Sequence, residues 1–164
     1  ACSLQGIGLF DGMFVNWQIE NNLIVTDHWH GITVMGAKNV RIINNTVVDP
    51  LVGKPTAPWI AITAHKKGMP PRGSIIANNI AASYNQTGRK SFPATSSKQV
   101  LMRNNISITN PNALFKDVVT LDFRPRERSA IINAGTSKFA PKLDINGTPR
   151  PTGSAIDIGA FQSR

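Results

Sequence analysis

Val40-Arg41-Ile42-Ile43-Asn44-Asn45-Thr46-Val47-Val48 decides the fold, because three other stretches follow the same pattern. They are Trp17-Gln18-Ile19-Glu20-Asn21-Asn22-Leu23-Ile24-Val25, Ser74-Ile75-Ile76-Ala77-Asn78-Asn79-Ile80-Ala81-Ala82 and Val100-Leu101-Met102-Arg103-Asn104-Asn105-Ile106-Ser107-Ile108. Successive Asn pairs fall 23, 34 and 26 residues apart. Self-similarity at roughly 20–50 residues is the mark of a solenoid. The longer middle step places an insertion in the Pro/Gly-rich stretch 49–58 and the loop 66–73. Within each unit the apolar residues alternate and β-branched residues dominate, which excludes an amphipathic helix. Each unit therefore reads as a short strand, an Asn-Asn corner and a second short strand. Asn suits the corner because it tolerates the left-handed backbone region. Its amide can also bond the equivalent Asn one turn away, as in stacked amide ladders.

A further strand candidate precedes each of the first three pairs, at 7–11, 31–35 and 59–63. Three strands per turn make a triangular coil whose strands stack in parallel at about 4.8 Å. In these leading strands Ile32, Val34, Ile60 and Ile62 are expected to face the core, and Thr33, Met35, Ala61 and Thr63 to face outward. With a bulge near Phe14, Leu9 and Asp11 join the outward rows. Phe10 and Ile42 read as core.

Composition bounds the function without naming it. The chain has 164 residues, 41% hydrophobic and 16% charged, which is enough apolar content for a packed core. Lys and Arg number 18 against 9 Asp and Glu, a formal net charge of +9. Such a surface attracts polyanions. No apolar run approaches the ~20 residues of a membrane span. Cys2 stands alone, so neither an internal disulfide nor a cysteine metal site is expected. The chain opens at Ala1 without Met or a signal peptide, which reads as a processed or excised piece. Aromatic residues are few and dispersed, so no specific nucleic-acid platform is expected.

The I-x-N-N-x-I/V units resemble the right-handed parallel β-helix repeat of the pectin-lyase-like superfamily. Leu121-Asp122-Phe123-Arg124 through Ser129-Ala130-Ile131-Ile132-Asn133-Ala134-Gly135 is similar to the last coil of secreted bacterial β-helix proteins. Asp144-Ile145-Asn146-Gly147-Thr148-Pro149-Arg150-Pro151 and Ala155-Ile156-Asp157-Ile158-Gly159-Ala160-Phe161 resemble the tail that follows it. Arg128 and Asn133 stand where such proteins often carry Pro and Asp. The resemblance implies an all-β, right-handed parallel β-helix of about five coils, with coils over 1–135 and an extended tail over 136–164 packing on or capping the helix. It implies that the outward face of the leading strands carries a substrate groove, but names no activity, because lyases, hydrolases, epimerases, tailspikes and adhesins share the fold.

Candidate chemistry clusters in the loops beside that face. Asp27-His28-Trp29-His30 offers proton-transfer groups, a stacking ring, and a carboxylate to orient a His or hold a cation. The competing reading is packing of Trp29 and backbone capping by the His residues. His65-Lys66-Lys67, expected one coil above on the same side, could supply base and positive charge against a uronate, or be a solvated basic loop. Asp11 is expected to project outward without a convincing acidic partner, Asp27 and Asp49 being nearest by sequence. A two-carboxylate hydrolase is accordingly less favoured than a lyase. Arg124, Arg126 and Arg128 would share one face of an extended segment, for anion binding or as an ordinary solvated edge.

The expectation is recognition of an acidic polysaccharide, with depolymerisation by β-elimination as its catalytic form, outside the cytoplasm or at a virion surface. His28, His30, His65, Lys66 and Lys67 would act in catalysis, and Asp11, Asp27, Trp29 and Trp59 in substrate binding. No metal or cofactor is indicated, although a divalent cation such as calcium is compatible with the carboxylates. The alternative is a non-catalytic segment of a tailspike, virion fibre or surface adhesin. An uncovered first coil points to either a homo-oligomer or missing N-terminal coils.

Overall fold

A computed structural model of the chain describes residues 4–53, 57–85, 90–93, 99–151 and 154–163. Ala1, Cys2 and part of the 49–58 insertion lie outside the described residues. The strands follow the repeat. The first turn holds β1 (Ile7–Leu9), β2 (Phe14–Val15), β3 (Gln18–Glu20) and β4 (Leu23–Val25). The second holds β5 (His30–Met35), β6 (Ala37–Lys38), β7 (Arg41–Ile43) and β8 (Thr46–Asp49). The third holds β9 (Trp59–Thr63), β10 (Ser74–Ala77) and β11 (Ile80–Ser83), and a fourth contributes β12 (Val100–Arg103) and β13 (Ile106–Ile108).

Stacked turns form three parallel sheets: β1-β5-β9, β3-β7-β10-β12 and β4-β8-β11-β13. The short β2 and β6 also pair in parallel. This is a parallel β-solenoid. Among the described residues no helix is long and apolar enough to cross a membrane.

The coil number falls short of five: about three turns are complete. The sequence after β13 carries no Asn-Asn corner, and the described residues there add no parallel rung. A 3-10 turn (Pro111–Ala113) leads into β14 (Phe115–Asp117) and β15 (Asp122–Pro125), which pair antiparallel. The stretch resembling a last coil therefore begins as a hairpin strand. Its apolar residues explain the departure. Leu114, Phe115, Phe123 and Ile131 pack with Val48, Ile80 and Ala82 on the outer side of the third sheet. Phe115 and Phe123 meet edge to face at 5.3 Å. Burying those rings against an existing apolar face outweighs one more open coil.

The corners show why Asn occurs in pairs. The first of each pair takes the left-handed conformation, with φ of 55° at Asn21, 53° at Asn44, 56° at Asn78 and 48° at Asn104. The second builds the ladder. Asn22 Nδ2 donates to Asn45 Oδ1 at 2.8 Å, Asn45 Nδ2 to Asn79 Oδ1 at 2.9 Å, and Asn79 Nδ2 to Asn105 Oδ1 at 3.0 Å. Each acceptor also receives the backbone N–H of the preceding rung. Asn44, Asn45, Asn78 and Asn79 are buried, and a buried amide is tolerated only when satisfied in this way.

The outer Asn row anchors the tail. Asn104 donates to Ala134 O, Asn78 to Thr136 O, Asn44 to Asp157 O and Gly159 O, and Asn21 to Leu143 O. Residues 134–151 and 154–159 thus run along the flank of the solenoid, across all four rungs, and their strands β16 (Gly135–Thr136) and β17 (Ala155–Ile156) pair antiparallel.

Inside the coil Ile32, Val34, Ile42, Ile60, Ile62 and Ile76 are fully buried in one cluster. Each contributes about 1.5–3 kcal/mol by burial. Leu9 pairs with Val34 and packs against that cluster, so it belongs to the inward row and not to the outward one. With the third sheet covered by the C-terminal segment, the first sheet offers its outward face to the loops that carry the reactive side chains.

Candidate functional site

Alternation along β9 places Trp59, Ala61 and Thr63 outward, opposite in sense to the buried Ile60 and Ile62. In β5 strict alternation from Ile32 would turn His30 into the core. The register shows why it does not. His30 pairs with Trp59 and Ile32 with Ile60, so Gly31 is an extra residue, a bulge that re-aims His30 to the outer face.

Thr33 is the hinge of the cluster. Trp59 Nε1 donates to Thr33 Oγ1 at 2.8 Å, and His30 Nδ1 lies 2.8 Å from the same oxygen. An indole can only donate, so Thr33 accepts from Trp59 and its own hydroxyl proton is available to His30 Nδ1. The rings above leave Thr33 buried.

Around His30 the aromatics assemble. Its ring meets Trp59 edge-on at 5.1 Å and Trp29 edge-on at 6.0 Å, and stacks on His28 at 5.3 Å. Trp29 and Trp59 stack at 6.3 Å with an interplanar angle of 11°. The loop holding Trp29 is itself pinned. The His28 N–H donates to Thr26 Oγ1, the His30 N–H to His28 Nδ1, and the Trp59 N–H to Trp29 O. His28 Nδ1 is therefore an acceptor, and a neutral His28 carries its proton on Nε2. Desolvation by these neighbours, with the repulsion of nearby His28 second, lowers the His30 pKa below its ordinary value.

Phe10 completes the cluster, and it is not core. Its ring meets His30 edge-on at 5.1 Å. A Cβ on Gly8 would sit 2.4 Å from the Phe10 ring, so the ring occupies the outward space that Gly8 leaves empty. The signal in the sequence is that Gly at an outward position two residues before an aromatic.

His65, Lys66 and Lys67 lie elsewhere. They follow the C-terminal end of β9, whereas His28 and Trp29 precede β5 and His30 is its first residue. The five residue steps from His30 to Met35 separate the two groups by roughly 17 Å. They occupy opposite ends of the face and do not converge. His65 is buried, with Nδ1 facing the Lys67 N–H at 3.2 Å and Nε2 facing the Gly12 N–H at 3.4 Å. Gly36 lets these turns approach. At φ +82° it lies where a Cβ would come within 2.7 Å of Gly12 O and 3.0 Å of His65 Cβ.

Lys66 forms an ion pair with Asp11, and that bond and charge hold the Asp11 carboxyl below the usual carboxylate range. Both groups are exposed, so the pair adds little stability. Lys67 is exposed beside it. Asp27 is partly buried near Asp49. Asp49 is buried and accepts from the Leu51 N–H, Ser83 Oγ and Asn85 Nδ2. Among the described residues no group of three His, Cys, Asp or Glu side chains could hold a metal ion.

Comparison with protein-family models, curated proteins and solved structures finds no match. The chemistry of the face must be read from its own geometry. At one end it offers a broad aromatic surface with hydrogen-bonding edges. At the other it offers the exposed ammonium of Lys67 beside the Lys66–Asp11 ion pair. A sugar polymer needs both if it carries carboxylates: ring faces to cover its apolar C–H surface, and cations to offset its charge.

Proposed function

We propose that this protein recognises an acidic polysaccharide laid across the outward face of β1-β5-β9, outside the cytoplasm or at a virion surface. The stacked Trp29–Trp59 pair carries the reading, because two parallel indoles, Trp59 fixed by its Thr33 hydrogen bond and Trp29 by its carbonyl on the Trp59 N–H, form a rigid platform at little entropic cost. Trp29 is 39% exposed, so the surface is reachable. Lys66 and Lys67 mark the charged end, and the net charge of +9 favours polyanion encounter. The resemblance of the repeat to pectin-lyase-like β-helices supports the ligand class. A tailspike, fibre or adhesin would use such a face without catalysis.

Quenching of Trp fluorescence by polygalacturonate, against a neutral glucan, tests this reading. Binding should fall by about tenfold in Trp29→Ala and decline with added salt, more weakly in Lys66→Gln/Lys67→Gln. Unchanged affinity in Trp29→Ala would rule out the platform.

One observation favours a second, catalytic reading. His30 stacks on His28, burial and then that neighbour lower its pKa and so favour its neutral form, and a neutral imidazole is the form that removes the proton at C5 of a uronate in β-elimination. In that step the C5 proton passes to the imidazole, the electron pair forms the C4–C5 double bond, and the C4–O bond breaks with the electrons leaving on the glycosidic oxygen. Absorbance of unsaturated uronates should then rise with wild type and not with His28→Ala/His30→Ala. A flat trace with every acidic polysaccharide leaves recognition alone.

A further inference from the structure

An open cleft lies between the hairpin and the tail, lined by no residue of the first sheet. Its volume is about 970 Å³, at the upper end of ordinary small-ligand pockets, which run to about 1,000 Å³. One wall is β14–β15 with the turn after it. The other is the 144–148 turn with residues 161–163.

Charge in this cleft is lopsided. Lys116, Arg124 and Arg128 line it against a single acid, Glu127. The carboxylates of the tail wall are turned inward and satisfied there. Asp144 accepts the Asn146, Thr148 and Gln162 N–H groups, and Asp157 accepts those of Asn133 and Ser163. Buried Arg150 lies near both, and its guanidinium donates to Asn21 Oδ1 and to the Gly159 and Ala160 carbonyls. Asp122 holds Arg124. Among the described residues neither Lys116 nor Arg128 has an ion-pair partner.

The three arginines expected on one face divide. Arg126 turns to Asn112 O, while Arg124 and Arg128 share the cleft. Arg128 sits at φ 59°, a conformation shared among the described non-Gly residues only by Asn and by Leu121. An L side chain with no amide to bond locally rarely takes that backbone, and here it leaves the guanidinium beside the cleft.

We propose that this cleft is a separate binding site for an anionic saccharide, with Lys116 and Arg128 taking its carboxylate or sulfate. The space is too large for a bare anion. Asn133 and Asn146 offer amides to sugar hydroxyls, and Phe161 an apolar face to the ring. The site owes nothing to Trp29, Trp59 or the first sheet, so it stands or falls independently of the platform.

The test is calorimetric titration of Trp29→Ala/Trp59→Ala, which lacks the platform. The probes are a galacturonate oligomer, a heparin-derived oligosaccharide and a neutral malto-oligosaccharide. An acidic probe should bind this protein and the neutral one should not. Adding Lys116→Gln/Arg128→Asn should weaken binding by about tenfold or more, Asn being chosen because it tolerates the left-handed backbone. The galacturonate oligomer carries carboxylate alone and the heparin-derived one both groups, so binding of the first shows that carboxylate suffices and binding of the second alone assigns the site to sulfate. Should the platform variant fail to fold, amide shifts of Asn146 and Thr148 in the wild type, lost in Lys116→Gln/Arg128→Asn, decide the same question. The proposal is overturned if no acidic probe binds, or if the two substitutions leave binding unchanged.

Discussion

Trp59 Nε1 and Thr33 Oγ1 are joined by a 2.8 Å hydrogen bond across one solenoid turn, and His30 Nδ1 approaches the same oxygen at 2.8 Å. One hydroxyl therefore ties Trp59 of the platform to the neighbouring His30 ring. Thr33→Val keeps the shape and removes the oxygen, leaving an indole N–H and an imidazole nitrogen unpaired. The expected loss is about 1–3 kcal/mol of stability, read by urea unfolding, together with weaker saccharide binding.

The His pair makes a pH prediction. His30 has a folded pKa below its unfolded value because burial, and then His28, oppose its charge. A depressed histidine contributes stability above the unfolded pKa, and that contribution is lost as pH falls and the unfolded chain takes up the proton first. Proton NMR should place the His30 midpoint below about 6.5. In His28→Ala the midpoint should rise part of the way back, since desolvation, the larger cause, remains. A midpoint at or above the ordinary value in wild type would contradict the packing described.

The Asn ladder predicts a gradient of costs. Asn79 is buried and donates to Asn105 Oδ1 as well as to Ile42 O and Ala77 O, while Asn22 sits at the edge of the first turn, partly exposed. Asn79→Ala strands several buried groups and should cost about 3 kcal/mol or more. Asn22→Ala should cost about 1 kcal/mol. Equal effects in denaturant titration would mean that the ladder does not act as a stack.

Asp49 carries the opposite sign from a paired carboxylate. Burial raises its pKa, and nearby Asp27 adds to the rise, against the bonds from Leu51, Asn85 and Ser83. At low pH the group is protonated in both states and has no effect. As pH climbs past the unfolded value the unfolded chain ionises first, so folding loses stability until the folded pKa is passed. The difference in Tm between Asp49→Asn and wild type should therefore shift in favour of Asn from acid to neutral pH. A difference that stays flat would contradict the assignment.

Much of the architecture is legible in the sequence because it rests on local patterns. The Asn pairs announce the corners, and alternation places Ile32, Val34, Ile60 and Ile62 inward. The site is legible in part. Trp59 faces outward by simple alternation, but His30 does so only through the Gly31 bulge, and no spacing rule announces a bulge. Phe10 reads as core because an aromatic beside an apolar strand normally is. Its true place follows from the vacancy at Gly8. The loop at His65 is expected beside His28, yet it follows its strand where the His28 loop precedes one, which puts a strand length between them. The hairpin at Phe115–Pro125 replaces a coil because tertiary burial of Phe115 and Phe123 decides the matter, and that contact is not local.

The platform is tested most sharply by the indole N–H signals of Trp17, Trp29 and Trp59 during titration with a galacturonate oligomer. Trp17 lies outside the platform, against Phe14, and is 48% exposed, so it serves as an internal control. The Trp29 and Trp59 signals are expected to move together and saturably while Trp17 stays in place. Movement of Trp17 alone, or of none of the three at saturating oligomer, would contradict recognition on this face.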